Sequence, residues 1–393
     1  MTGAAEMGAV EPTTHPFPLH GPTTHHCVRL FFYLKLPLVY TCLMSEVFYR
    51  KYRPQKFKDV IGQDHVVKVL EGAIKLGNIS HAYLFSGSRG KGKTSMARIF
   101  SREVGTSPDD LVEMDAASNR GIDDVRGIRE SVSTLPFRSK YKVYIIDEVH
   151  MLTKDAWNAF LKTLEEPPAH VIFILATTEL EKVPETVISR CQTFQFKQPN
   201  QATLKDFAQA IAKKEGVALD KEAAELVSLL GDGSFRDTHG ILEKVLTIHP
   251  ASPRLRRTLE ITRAEVEAVT GAPKSELVRD ILRSLVEKDV ERGLKAVQTA
   301  AAANNDMKLF SKLILEHLRF LFLIRLKPAM EKMVAEHVSE DDLNFLKDLA
   351  SKAGPDLTAD TLLKFIEAYE SSGRTSIPEL ALELALSSCI KTP

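Results

Sequence analysis

What this sequence has little of narrows it first. It carries four cysteines, Cys27, Cys42, Cys191 and Cys389, far apart and without a Cys-x-x-Cys pair. Such spacing argues against a zinc site or a disulfide framework and fits a reducing cytosol. Neither charge is in excess, Lys+Arg and Asp+Glu being 52 each, so no global basic field points to nucleic acid. Contact with DNA would need a local patch, or an inner surface built by several subunits. No apolar run reaches the roughly 20 residues that span a bilayer, because Val28–Met44 is broken by Arg29, Lys35 and Pro37. Met1–Cys27 has no Lys or Arg, and a secretory leader begins with positive charge. The group His15, His20, His25, His26 and Cys27 in that stretch is compositional and makes only a weak metal-site pattern. The expectation is that natural translation begins at Met44, with 1–44 an extension that does not conform to the rest.

At 393 residues the chain is long enough for two or three domains, and 44% apolar with 26% charged residues is ordinary for a globular protein. From about Val47 to Lys197 strands and helices alternate. Ala82–Ser86, Leu111–Asp115, Lys142–Asp147 and His170–Thr177 read as short buried strands. Asp64–Leu76, Lys93–Glu103, Asp123–Ser133 and Lys154–Glu165 read as helices between them. Such alternation predicts a parallel sheet covered on both faces, with active groups at the carboxyl ends of the strands.

After Pro199 only helical periodicity remains. Gln201–Lys214, Lys221–Leu230 and Phe235–Leu246 form a small three-helix lid over 199–250, with Gly231-Asp232-Gly233-Ser234 as turn and N-cap. A Pro- and Arg-containing linker, His249–Arg257, leads to an all-helical region within 251–388. Leu309–Leu326 there is apolar over most of its circumference, which suits burial between partners or domains, or a core helix of one domain.

Gly87-Ser88-Arg89-Gly90-Lys91-Gly92-Lys93-Thr94-Ser95 matches the phosphate-binding loop and lies between a strand and a helix, as that loop requires. Its glycines let backbone N–H groups turn toward phosphates, and the helix N-terminus adds positive potential. Lys93 would neutralise β/γ oxygens and Thr94 would ligate Mg²⁺. Val143–Glu148 reads as the strand that supplies Asp147 to the Mg²⁺ shell and Glu148 to polarise water. Arg190 could pair with a surface carboxylate, the usual fate of an arginine, or reach a neighbouring subunit's γ-phosphate. Arg236, opening the third lid helix, could reach back to the γ-phosphate of its own subunit.

These residues carry a family resemblance. Tyr49-Arg50-Lys51-Tyr52-Arg53-Pro54, Asp59-Val60-Ile61-Gly62-Gln63, His81–Gly87, Asp115–Gly121, Ile146–Leu152, Leu161–Pro168 and Ser189-Arg190-Cys191 closely resemble the γ/τ family of bacterial DNA polymerase III subunits, AAA+ ATPases of the clamp loader. The resemblance covers Val47 to Leu246 strongly and the C-terminal helices loosely. It implies an α/β AAA+ P-loop domain over 45–198, the helical lid, and an all-α collar for oligomerisation. It further implies that Arg53, Pro54, Val60 and Ile61 close over adenine and that Thr178, or its neighbour Thr177, is sensor 1. Arg190 is implied as a finger acting in trans and Arg236 as sensor 2. The implied partners are δ and δ′ subunits, copies of the chain itself, the sliding β clamp and primer–template DNA, with no membrane and a cytoplasmic, nucleoid-associated location. By resemblance Ser118, Asn119, Arg120 and the helix near Ile122, with Arg126, face a central DNA channel; a solvated surface is the other reading of those arginines.

Three departures stand out. The family usually inserts a four-cysteine zinc module after the P-loop helix, whereas only Ser101–Asp110 fills that interval here, so ATP and Mg²⁺ are expected and zinc is not. Lys91 stands where a small or apolar residue is usual, with little effect expected. The chain ends soon after the collar and so resembles the short γ form, without the τ extension. A non-catalytic δ′-like scaffold is one competing reading, opposed by intact Lys93, Thr94, Asp147 and Glu148. Another AAA+ DNA machine, such as a branch-migration helicase, would carry a different C-terminal domain.

Overall fold

The computed structural model describes residues 47–248, 260–335, 338–354, 357–372 and 374–390. The extension 1–44, with its histidines and the Met44 start, lies outside the described residues, as does the linker His249–Arg257. In chain order the first part runs α1 (Phe48–Lys51), α2 (Asp64–Leu76), β1 (Ala82–Ser86), α3 (Lys93–Glu103), β2 (Leu111–Asp115) and α4 (Ile122–Val132). It continues through β3 (Lys142–Asp147), α5 (Lys154–Glu165), β4 (Val171–Thr177), α6 (Glu185–Ile188) and β5 (Gln192–Gln195).

The strands form one five-stranded parallel sheet in the order β2-β3-β4-β1-β5. Alternate residues of each strand serve opposite faces, as the period of two dictates. Leu84, Tyr144, Ile146, Phe173 and Leu175 pack with Val125, Ile128, Trp157 and Phe160 of α4 and α5. Tyr83, Phe85, Val143, Ile145, Ile172 and Ile174 pack with Val66, Leu70, Met96 and Phe100 of α2 and α3. Burial of both faces explains why the central strands read as continuous apolar runs. β4 begins at Val171 rather than His170, and α4 lies one residue earlier than its periodicity suggested, ordinary uncertainty at element ends. β5 was not foreseen: only Phe194 of its four residues is buried, so this edge strand carries no apolar run to read.

The lid comprises α7 (Gln201–Lys214), α8 (Lys221–Leu230) and α9 (Phe235–Thr247). Each starts on a side-chain cap: Asn200 accepts from the Thr203 N–H at 2.8 Å, Asp220 from Ala223 at 2.7 Å and Ser234 from Asp237 at 3.2 Å. These bonds satisfy N–H groups that the first helical turn leaves unpaired. Ile261, Val266 and Ala272 join the lid's apolar cluster, so that cluster reaches past residue 250. A short parallel bridge, Ala218–Leu219 with Glu260–Ile261, ties the two stretches together and carries no signal in a sequence that reads as all helix.

The C-terminal helices surround a separate core. Its axis is Met307–Leu326, whose N-cap Asp306 accepts from the N–H groups of Lys308 and Leu309. Phe310, Leu313, Ile314, Leu318, Leu321 and Ile324 of this helix are buried among Ile281, Leu282, Val297, Leu346, Phe365 and Leu386. The helix is buried among the C-terminal helices and also meets the lid, with Leu229 of α8 in the same cluster and Leu309 packed against the lid's own cluster. Among the described residues no helix is long and apolar enough to cross a membrane.

Candidate nucleotide site

β1 delivers the chain to the glycine loop at the carboxyl edge of the sheet, where the Gly87 N–H donates to the Thr177 carbonyl at 3.2 Å. Two loop positions require glycine. Gly87 has φ +142, and a Cβ there would lie 2.9 Å from the Phe196 carbonyl oxygen; Gly90 has φ +76, and a Cβ there would fall 1.9 Å from Ser234 Oγ. The loop is thereby clasped by the lid, since the Phe235 N–H also donates to the Gly90 carbonyl at 3.1 Å.

Lys93, the first residue of α3, turns its ammonium back into the loop and donates to the carbonyls of Gly87 at 2.5 Å and Ser88 at 3.1 Å. Burial lowers its pKa, while Glu148 and Asp147 oppose that shift. Thr94 donates its hydroxyl to Asp147 Oδ2 at 2.5 Å. Glu148 follows with left-handed backbone, φ 48 and ψ 44, an uncommon conformation for a residue with a side chain. Its Oε2 accepts from the Thr178 hydroxyl at 2.9 Å and from the Thr178 N–H at 3.3 Å. Because β4 lies between β1 and β3, Thr178 stands between the glycine loop and the acidic pair. The Thr177 side chain is fully buried and committed to Glu179 and His150, leaving Thr178 as the threonine that meets Glu148.

A cavity of about 500 Å³ opens beside these groups, lined by Arg53, Pro54, Val60, Ile61, Arg89 to Ser95, Asp147, Glu148 and Arg236, with Thr178 outside its lining and in contact with Glu148. All these were singled out from sequence; Gly87 and Ser88 support the cavity through their carbonyls on Lys93. Arg53 has its pKa lowered by burial and then by the Arg98 charge. Burial likewise lowers that of Lys91. Arg236 lies 4.9 Å from the centroid of the Tyr49 ring. A pocket that gathers partly desolvated cations at a glycine loop and the N-terminus of α3 suits a polyanion.

Sequence reasoning missed several lining residues, among them Tyr49, Tyr52, Arg98, Phe207, Phe235 and His239. Arg98 was findable, being one helical turn beyond Thr94; it pairs with Glu113 at 2.5 Å. Phe207 and His239 reach the site only through packing of the lid, with their rings edge to face at 4.8 Å. His239 Nε2 is buried with no hydrogen-bond partner, and burial pushes the ring's pKa down to about 4.

Other candidates lie elsewhere. Arg190 does not line the cavity of its own chain; it pairs with Glu165 at 2.9 Å and donates to the Thr186 carbonyl at 2.6 Å. Ser118 and Asn119 sit in a turn closed on Asp115. The Arg120 carbonyl accepts from the Thr153 N–H at 3.1 Å, and the Arg126 guanidinium pairs with Asp123 at 2.9 Å.

A parallel sheet with a glycine loop after its first strand, an acidic pair ending an inner strand and a helical lid over the cavity defines a P-loop nucleotide-binding protein of the AAA+ class. A family model described as DNA polymerase III, delta subunit, matches residues 104–200. The DNA polymerase III subunit gamma of Buchnera aphidicola is 33% identical over 78% of this chain and 87% of its own length. The DNA polymerase III subunit tau of Bacillus subtilis is 34% identical over 87% of this chain and 62% of its own length. Among solved structures, the Thermotoga maritima RuvB Holliday junction branch migration motor aligns with a TM-score of 0.47 at 23% identity, covering 60% of this chain and 80% of that one. The chain belongs to the DNA polymerase III gamma/tau family. It spans 62% of the Bacillus subtilis tau subunit and 46% of that of Salmonella typhimurium.

Proposed function

We propose that this chain is an ATPase motor subunit of the DNA polymerase III clamp loader. The observation that carries the reading is the convergence of Lys93, Thr94, Asp147, Glu148 and Thr178 at the carboxyl ends of three adjacent strands. Lys93 neutralises the β/γ oxygens of ATP, and loop N–H groups together with Arg236 hold the remaining phosphate charge. Glu148 orients and polarises the attacking water, and Thr178 senses the γ-phosphate from the next strand. Thr94 and Asp147 already bring two hard oxygen donors together, which fits Mg²⁺ held by few protein ligands plus phosphates. That ion would supply charge neutralisation of the triphosphate. Zinc has no part in the reading.

The adenine would lie toward Arg53, Pro54, Val60 and Ile61. Arg190, turned away from its own cavity, serves the neighbouring subunit's γ-phosphate, so hydrolysis requires a ring. δ, δ′ and further copies of the chain complete that ring in the cytoplasm, at the nucleoid. ATP binding then lets the ring open the β clamp and grip primer–template DNA, with Ser118, Asn119, Arg120 and Arg126 toward the backbone. The test is reconstitution with δ, δ′ and clamp, scored for clamp loading on primed DNA. ATP-dependent loading is expected, and loading that proceeds equally without nucleotide refutes the reading.

A further inference from the structure

Behind Glu148 lies a buried side chain that the proposed mechanism does not use. The His150 side chain, only 6% exposed, brings Nδ1 to 3.0 Å from Thr177 Oγ1 and 3.5 Å from Glu148 Oε2. Its Nε2 lies 3.3 Å from Glu179 Oε1. Thr177 Oγ1 in turn donates to the Glu179 carbonyl and accepts from the Glu179 N–H, both at 3.1 Å. One imidazole therefore stands between the carboxylate at the end of β3 and the turn after β4. Glu179 continues the connection through an ion pair with Lys182 at 2.7 Å. Lys182 closes the turn before α6, and the Arg190 N–H donates to the Val187 carbonyl of that helix at 3.0 Å.

Glu148 needs such support. A residue with a side chain at φ 48 persists only where its surroundings over-determine it. Thr178 fixes Glu148 Oε2 from one side, and the His150 ring fills the other. We propose that His150 is a positioning residue: its Nδ1–H donates to Thr177 Oγ1, which sets the ring edge 3.5 Å from Glu148 Oε2 as a backing for that carboxylate, while Nε2 faces Glu179 of the segment that leads to Arg190. The proposal rests on the reading of Glu148 as the group that polarises water. A carboxylate displaced by about 1 Å loses in-line geometry, which costs rate far more than binding. His150 does not itself line the cavity and meets its lining only through Glu148, so nucleotide affinity should depend on it little.

The test measures kcat and KM for ATP, together with nucleotide Kd, in the full chain assembled with its clamp-loader neighbours. His150→Ala should lower kcat at least about tenfold while KM and Kd stay within about twofold. Asparagine places its amide where Nδ1 stands, and glutamine places it nearer Nε2. His150→Asn should therefore recover most of kcat and His150→Gln less of it. This polar pair carries the comparison if the alanine variant fails to fold. Unchanged kcat in His150→Ala, a parallel loss of Kd, or better recovery by Gln than by Asn overturns the proposal. Glu148→Gln separates the two levels: if it hydrolyses ATP at the wild-type rate, the reading of the site falls and this proposal with it. If Glu148→Gln is inactive and His150→Ala is unaffected, only the role of His150 falls.

Discussion

Gly90→Ala tests whether the glycine loop and the lid act as one unit. Two costs arise. At φ +76 an alanine is in the left-handed region, at about 1–2 kcal/mol. Its Cβ would also fall 1.9 Å from Ser234 Oγ and 2.8 Å from Ser234 Cβ, and overpacking of that kind costs about 1–3 kcal/mol. The sum is about 2–5 kcal/mol. Ser234→Gly removes both clashing atoms and, as an N-cap change to glycine, costs only about a few tenths of a kcal/mol. In that background the alanine meets Ser234's Cα position at 3.4 Å, and the backbone term alone survives. The double-mutant cycle should thus show about 1–3 kcal/mol of favourable coupling. Trp157, the single tryptophan, is buried beneath the sheet and reports this domain's urea unfolding by fluorescence. Strictly additive single-mutant effects would rule out direct contact between Gly90 and Ser234 as the source of the cost.

Two further expectations follow from the same site. His239, with its pKa pushed down to about 4, refuses a proton that the unfolded chain accepts below about pH 6.5. Stability should therefore fall as pH drops through that window, by about 1.4 kcal/mol per pH unit, and level off below about 4. His239→Leu should flatten this fall in urea titrations between pH 7 and 5, and an unchanged slope would contradict the assignment. Lys93→Ala removes the ammonium that faces the Gly87 and Ser88 carbonyls and should abolish nucleotide binding by calorimetry while leaving the chain folded.

The sheet was legible because its central strands are buried on both faces and bounded by helices of clear period. β1 and β3 fall where the apolar runs place them, whereas β2 has its expected bounds but not the expected burial, since at the sheet edge none of its residues is buried. β5 escaped because Gln192, Thr193 and Gln195 are exposed and pair by backbone alone. The phosphate end of the cavity was legible for a related reason: its groups are contiguous in sequence. Its far end is assembled by tertiary packing, with Tyr49 and Tyr52 near α1 meeting Phe207 and His239 of the lid. No spacing rule joins residues that far apart. Arg98 was within reach, but a helix face has no meaning for the site until the loop before it is placed.

On the proposed function, each ATP site is divided between neighbouring subunits. Arg190 is bound to Glu165 and Thr186 of its own chain and stands apart from its own cavity. The direct measurement is ATP hydrolysis by the ring assembled with Arg190→Ala, alongside nucleotide affinity. Unchanged affinity is expected, with a loss of DNA- and clamp-stimulated hydrolysis on the order of 10³-fold. Full stimulated hydrolysis in that variant, or an isolated subunit as active as the ring, would contradict that division.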